Sequence, residues 1–201
     1  MNAESYNCIA HKWTAARNKS FVSRLVQDFA AKIKKTGFIL DIGCGSGYLT
    51  KFFCQKGFHV EAIDISSKMI EIAKGEHIQN AAFQVCDFLQ YTTTRKYDGI
   101  IAWYSLFHFP KEKQKEIYLR AGRLLKPGGI FLFTHGDADD EHTDKMFGEE
   151  FYYSCIPKAE VLHELEKNNF KICYTYKNFI EQTNHRDLVI LAKKKTNAFQ
   201  N

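Results

Sequence analysis

The chain has 201 residues, of which 45% are hydrophobic and 25% charged, with a formal net charge of +5. That length suits one domain with a sizeable core, and the composition excludes disordered and fibrous classes. Lys and Arg are scattered and no uncharged apolar run is long enough to span a bilayer, so neither a nucleic-acid nor a membrane partner is indicated.

In chain order, Phe21, Leu25, Phe29 and Ile33 recur at four-residue spacing and predict a helix, with Ser20 as N-cap and Gly37 as stop. A buried strand, Phe38 to Ile42, runs into the glycine turn Gly43-Cys44-Gly45-Ser46-Gly47 and then a helix carrying Leu49, Phe52 and Phe53 that ends at Gly57. A strand from His59 to Ile65 and a helix begun by Ser66 or Ser67 follow. Residues 82–86 and Tyr97 to Trp103 read as strands, and Pro110 opens a helix closed by Lys126-Pro127-Gly128-Gly129. Ile130 to Thr134 is the next strand. Residues 135–155 are polar without a steady period; a helix follows Pro157, and Phe170 to Tyr176 and Leu188 to Ala192 are the last strands. Alternating strands and helices imply an α/β fold with a mostly parallel sheet covered on both faces, and the last two strands imply an antiparallel edge hairpin.

Glycines at a strand-to-helix turn let a ligand lie against the backbone, which points to a nucleotide-like cofactor. The spacing departs from the dinucleotide fingerprint, because Tyr48 stands where its third glycine belongs. Asp64 closes the second strand about twenty residues on, the interval at which a carboxylate accepts both hydroxyls of a ribose. Asp87 and Trp103 end the third and fourth strands, so the informative residues share one end of the sheet. The six cysteines form no Cys-x-x-Cys pair or zinc spacing, and Met1-Asn2-Ala3-Glu4 begins no leader pattern; a cytoplasmic protein with free thiols is expected. The acidic run Asp137-Ala138-Asp139-Asp140-Glu141 lacks the Gly and terminal Glu of a calcium loop and reads as a solvated loop, with no metal expected.

Asp41-x-Gly43-x-Gly45-x-Gly47, Asp64, Asp87, the segment Tyr97-Asp98-Gly99-Ile100-Ile101-Ala102-Trp103 and Lys126-Pro127-Gly128-Gly129 resemble, in this order, the motifs of class I S-adenosylmethionine-dependent methyltransferases. The resemblance covers about residues 36–195. It implies a Rossmann-like, seven-stranded sheet, the cofactor S-adenosylmethionine and the product S-adenosylhomocysteine. Carried over residue by residue, Asp41, Gly43, Cys44, Gly45, Gly47, Asp64, Ile65, Met69, Asp87, Phe88 and Trp103 form the cofactor site. Asp41 would lie near the methionine amino group, Ile65 and Met69 on the adenine faces, and Asp87 at the exocyclic amine. Cys44 is read as a close-packed turn residue, since nothing supplies a neighbouring base.

The same resemblance divides a single domain, 1–201, into a lid segment 1–19, a cofactor-binding core 20–135, a substrate-side insertion 136–156, a C-terminal helix and edge hairpin 157–195 and a tail 196–201. Tyr6, Trp13, Arg17, Tyr104, Tyr152 and Tyr153 are the substrate and lid candidates, Arg17 offering a forked cation to a carboxylate. His108 is the candidate base, its ordinary pKa near 6.5 suiting proton transfer at neutral pH, with a pocket-lining or capping role as the alternative. The expected function is in-line methyl transfer to a small-molecule acceptor. A protein or RNA methyltransferase and a non-catalytic S-adenosylmethionine-binding protein are the alternatives; Trp103-Tyr104-Ser105-Leu106, in place of the Asn/Asp-Pro-Pro-Tyr/Phe stretch of amino-methylating enzymes, counts against base methylation.

Overall fold

The computed structural model describes residues 2–17, 21–179 and 187–196. Period-two burial builds its sheet. In β1 (Phe38–Ile42), Leu40 and Ile42 enter one apolar layer and Ile39 the other. The same division holds in β4 (Tyr97–Ala102), with Ile100 opposing Ile101, and in β5 (Leu125–His135), with Phe131 and Phe133 opposing Leu132. It holds again in β9 (Asp187–Lys194), with Leu188 and Ile190 opposing Val189 and Leu191. Both faces of the sheet therefore need cover.

Helices supply it. Val26 and Phe29 of α2 (Arg24–Lys32), Phe53 of α3 (Tyr48–Gln55) and Ile70 of α4 (Ser67–Gly75) fill one layer. Ile117, Tyr118 and Ala121 of α5 (Gln114–Leu124) and Val161 and Leu165 of α6 (Lys158–Lys167) fill the other. With β2 (His59–Asp64), β3 (Ala81–Val85) and β8 (Phe170–Phe179), the strand order is β3-β2-β1-β4-β5-β9-β8. The first five strands are parallel, and β9 pairs antiparallel with both β5 and β8. This is the expected seven-stranded Rossmann-like sheet. Strand order reverses between β1 and β4, and the carboxyl ends of those strands open the crevice in which such sheets hold ligands.

Several local expectations are corrected. The N-terminal segment is a helix, α1 (Ala3–Arg17). Helix α2 begins three residues after Phe21, which is 90% exposed, and its cap is Ser23, whose Oγ accepts from the Leu25 N–H at 3.3 Å. The expected cap, Ser20, lies outside the described residues. The helix also ends at Lys32 rather than Gly37, with Ile33 already extended. Pro110 heads a 3-10 turn, Lys111–Lys113, ahead of α5. Lys126-Pro127-Gly128-Gly129 lies inside β5, where the pairing register shifts between Tyr97 and Gly99.

The largest correction is a hairpin within the stretch read as aperiodic, β6 (Asp140–Met146) and β7 (Glu149–Cys155). Its turn is Phe147-Gly148, both with positive φ, the geometry that matches strand twist in a two-residue loop. Strand β6 is solvated along nearly its whole length and has no apolar alternation to read. Only its partner is patterned, with Phe151, Ser154 and Cys155 buried.

Gly99 decides how closely α2 approaches the sheet. A Cβ there would lie 2.4 Å from Ile33 Cδ1 and 2.8 Å from Phe29 Cζ, inside van der Waals contact. Gly99→Ala is expected to destabilise the fold by about 1–3 kcal/mol through overpacking, measured as a lower urea midpoint with an unchanged slope.

Candidate active site

A cavity of about 400 Å³ opens at the carboxyl ends of β1, β2 and β4, under α1. Its floor is the glycine turn. The Gly43 and Cys44 N–H groups both donate to the Ile63 carbonyl, at 2.8 and 3.1 Å, tying the turn to β2. Gly43 has φ +71, and a Cβ there would stand 2.4 Å from the Ser105 Cβ, so no larger residue fits beside the loop after β4. Ser105 closes that contact by donating its hydroxyl to the Ile42 carbonyl at 2.8 Å.

Asp64 fastens the turn to the next helix. Its Oδ2 accepts from the Gly45 N–H and its Oδ1 from the Ser66 N–H, each at 2.8 Å. Ser66 in turn caps α4 by accepting from the Met69 N–H at 3.1 Å. Burial pushes the Asp64 carboxyl above its ordinary value, although these backbone donors oppose the shift. Asp41 is deeper, 2% exposed, and accepts the Thr50 hydroxyl at 2.7 Å. Burial, against that hydrogen bond and with the nearby Asp64 charge adding to it, raises Asp41 to about 7. Asp87 bends the chain after β3 by accepting from the Leu89 N–H at 2.8 Å. Ile65, Met69, Asp87, Phe88 and Trp103 complete the wall on this side.

Gly47 is the one residue of the expected cofactor set that the cavity wall lacks. It faces the other way: a Cβ there would meet Phe83 at 3.1 Å and Ala73 at 3.3 Å, so this glycine admits close packing of α3 on β3 and α4. Gly43, Cys44 and Gly45 lie on the cavity side.

The roof is α1, and polar contacts seat it. The Asn2 side chain pairs with both backbone groups of Tyr152, Nδ2 donating to the carbonyl at 2.8 Å and Oδ1 accepting the N–H at 3.0 Å. The Ser5 hydroxyl donates to the Glu150 carbonyl at 2.7 Å. Asn7 Oδ1 accepts from the Ser66 hydroxyl at 2.7 Å and the Lys68 N–H at 3.1 Å, reaching the helix that Asp64 holds. Tyr6 packs edge-on to Phe151 at 4.8 Å and Trp13 at 6.2 Å, and the Arg17 guanidinium lies over the rings of Tyr48 and Tyr104, at 5.5 and 5.7 Å. Tyr6, Trp13, Arg17 and Tyr104 all line the cavity. Tyr104 does so from a left-handed backbone, φ +59, held by donation of its N–H to Thr134 Oγ1 at 2.7 Å.

Tyr152 and Tyr153, substrate and lid candidates from the sequence, are not among the residues that line the cavity. The Tyr152 hydroxyl turns outward to Glu141 Oε1 at 3.0 Å, while Tyr153 stacks on His142 at 5.3 Å and leans on His108 at 4.9 Å. They form a second layer behind the wall. His108 does line the cavity, with both ring nitrogens engaged: Nδ1 lies 2.7 Å from Asn2 Nδ2 and 2.9 Å from the Tyr152 carbonyl, and Nε2 lies 2.8 Å from the Tyr6 hydroxyl. Burial lowers its pKa to about 4, against the opposing pull of the Tyr152 carbonyl, so the ring is neutral at pH 7 and a weak base. Asn2, Ser105 and Tyr48 also line the cavity; Ser105 and Tyr48 adjoin segments singled out from the sequence, whereas Asn2 carries no such signal.

The acidic run is engaged elsewhere. Asp137 pairs with Lys177 at 3.0 Å and Asp139 with Lys111 at 2.5 Å, and among the described residues no group of three or more His, Cys, Asp or Glu side chains is placed to hold a metal ion. No helix among them is long and apolar enough to cross a membrane.

Residues 14–175 match a family model described as a methyltransferase domain. A malonyl-[acyl-carrier protein] O-methyltransferase of Priestia megaterium is 36% identical over 104 residues, covering 48% of this chain and 35% of the relative. An uncharacterized methyltransferase of Alkaliphilus oremlandii is 31% identical over 143 residues, covering 69% of this chain and 57% of the relative. The chain thus spans from about a third to somewhat over half the length of these curated relatives. Among solved structures, the Burkholderia thailandensis 1,6-didemethyltoxoflavin-N1-methyltransferase, with bound 1,6-didemethyltoxoflavin and S-adenosylhomocysteine, shares the fold with a TM-score of 0.72 at 17% identity, over 96% of this chain and 87% of that one. With the family model spanning the glycine turn, Asp64, Asp87 and the β4 strand end, the chain belongs to the class I S-adenosylmethionine-dependent methyltransferase family.

Proposed function

We propose that the cavity binds S-adenosylmethionine and that the chain methylates a small-molecule acceptor. The observation that carries this reading is the Asp64 carboxylate, fixed by two backbone donors at the rim of a glycine turn, within one cavity that continues to the aromatic wall under α1. The residues fit the cofactor. A Cβ at Gly45 would project into open space with only Trp13 Nε1 at 3.8 Å, so the cavity reaches the bare backbone of the turn, and it is lined by acidic and apolar groups, a chemistry that suits a ribose, an amine and adenine. The bound cofactor supplies an electrophilic methyl group on a sulfonium centre.

The chain's own residues divide the remaining work. Asp64 accepts the ribose hydroxyls, Asp87 the adenine amine, and Met69, Ile65 and Phe88 sandwich the base. Asp41 faces the cationic amino group and Arg17 the carboxylate at the opposite edge. Trp103, Tyr104, Trp13 and Tyr6 surround the acceptor and exclude water, so orientation is their contribution to rate. Segment 1–19 serves as the lid and the hairpin within 136–156 anchors it, which favours an acceptor small enough to be enclosed over a protein or RNA chain. In this reading the single domain, 1–201, keeps its core at 20–135, its C-terminal helix and edge hairpin at 157–195 and its tail at 196–201.

Asp64→Ala should weaken S-adenosylhomocysteine binding by at least about 100-fold, because hydrogen bonds to a charged group contribute about 1.5–3 kcal/mol each. Calorimetric titration of the folded variant checks this, and an unchanged affinity would remove Asp64 from the ribose site.

Cofactor affinity should also depend on pH through Asp41. Its folded pKa, about 7, is raised, so protonation stabilises the unliganded fold at low pH, and that stabilisation is lost as pH rises through 7. An ammonium ligand favours the ionised carboxylate. Binding must then expel a proton below pH 7, and affinity should fall by up to about tenfold per unit towards pH 5. The same titrations on Asp41→Asn should show weaker binding and a flatter profile; an equally steep profile would place the titrating group elsewhere.

A further inference from the structure

Asn2, His108 and Tyr6 form a bonded chain along the cavity wall, and the pairing at one end fixes the protons at the other. The Asn2 side chain is 3% exposed. Its amide cannot be flipped, because a flip would set Oδ1 against the Tyr152 carbonyl and Nδ2 against the Tyr152 N–H, like against like at both contacts. Nδ2 is therefore the atom 2.7 Å from His108 Nδ1. Two nitrogens that close must share a proton. An amide nitrogen has no lone pair to offer, so Nδ1 is the acceptor and Nε2 carries the ring proton. Each tautomer carries one like-against-like contact: Nδ1–H donating to the Tyr152 carbonyl at 2.9 Å would bring two N–H donors to 2.7 Å of each other, whereas a bare Nδ1 sets its lone pair beside that carbonyl at 2.9 Å, the longer contact, while the carbonyl keeps its bond from Asn2 Nδ2.

An Nε2–H imidazole donates to the Tyr6 hydroxyl oxygen, 2.8 Å away. The phenolic proton is then not spent on His108. Among the described residues the Tyr6 hydroxyl has no other hydrogen-bond partner, and Tyr6 lines the cavity. We propose that Asn2 is a positioning residue that locks His108 as its Nε2–H tautomer, so that Tyr6 presents its hydroxyl to the cavity as a hydrogen-bond donor. The group received there carries a lone pair, such as a ring nitrogen or carbonyl oxygen of the methyl acceptor, and His108 is a relay of orientation with no role as a base. Calling that ligand a methyl acceptor rests on the function proposed above; the proton assignment does not.

Long-range proton–nitrogen correlation spectra of protein with labelled histidine decide the tautomer without any ligand. The expected result is a His108 with bare Nδ1 and protonated Nε2, unchanged from pH 8 to pH 5. An Nδ1–H tautomer or a doubly protonated ring overturns the proposal. Asn2→Asp, which replaces the amide donor by an acceptor, should convert the ring to Nδ1–H and turn the Tyr6 proton onto Nε2; a merely structural Asn2 would leave the tautomer as it was. In protein loaded with S-adenosylhomocysteine, isoquinoline should bind about fivefold more tightly than naphthalene, the value of one neutral hydrogen bond. Tyr6→Phe and Asn2→Asp should both abolish that preference. A preference retained in Tyr6→Phe, or no preference in the native protein, counts against the donor. Failure of S-adenosylhomocysteine to bind at all would instead overturn the methyltransferase reading and leave the tautomer result standing.

Discussion

The site hangs on the Asp64 carboxylate. One oxygen holds the glycine turn through the Gly45 N–H and the other holds the start of α4 through the Ser66 N–H. Ser66 passes the connection on, since its hydroxyl donates to Asn7 of the roof helix. Floor, wall and roof of the cavity are thus linked through three side chains. A carboxylate is suited to this because it can accept several hydrogen bonds at once, so two backbone donors leave acceptor capacity for a ligand.

Charge is unevenly distributed around the cavity. Asp41, Asp64 and Asp87 gather at the strand ends near the glycine turn, while the other side is built of aromatic rings, the Arg17 guanidinium and a neutral imidazole. Burial raises both Asp41 and Asp64, so the unliganded site holds carboxylates at a desolvation cost that a cation or a set of hydroxyl donors would offset. The methyltransferase family uses a cofactor of this description, with a cationic amine, a sulfonium and a ribose diol.

The roof is attached by different means from the core. Sheet and helices α2 to α6 bury two continuous apolar layers, whereas α1 buries only Ile9 and Ala10 fully among its apolar residues and is seated by Asn2, Ser5, Asn7 and the Tyr6–His108 bond. Hydrogen bonds exchanged against water contribute little net free energy each, so α1 draws less of its attachment from apolar burial than the core helices do.

The residues alone determined the fold class and one side of the site. Buried strands with glycines or acids at their ends are local patterns, and the parallel α/β topology brings such ends together by rule, so Gly43, Asp64, Asp87 and Trp103 could be assigned to one crevice before any coordinates. What faces them depended on tertiary structure. The β6–β7 hairpin has one strand with no apolar alternation, and its existence rests on pairing with β7 and on Phe147-Gly148 adopting positive φ. Tyr152 and Tyr153, adjacent in β7, point to opposite faces of the strand, and the pairing with β6 decides what each one meets. Asn2, an unremarkable polar residue in the sequence, became the partner of Tyr152 and His108 only when α1 folded across residues more than a hundred positions away. Contacts of that range leave no periodic trace in the chain, which is why the lid segment and its aromatic residues could be named from the sequence while the polar contacts that seat it could not.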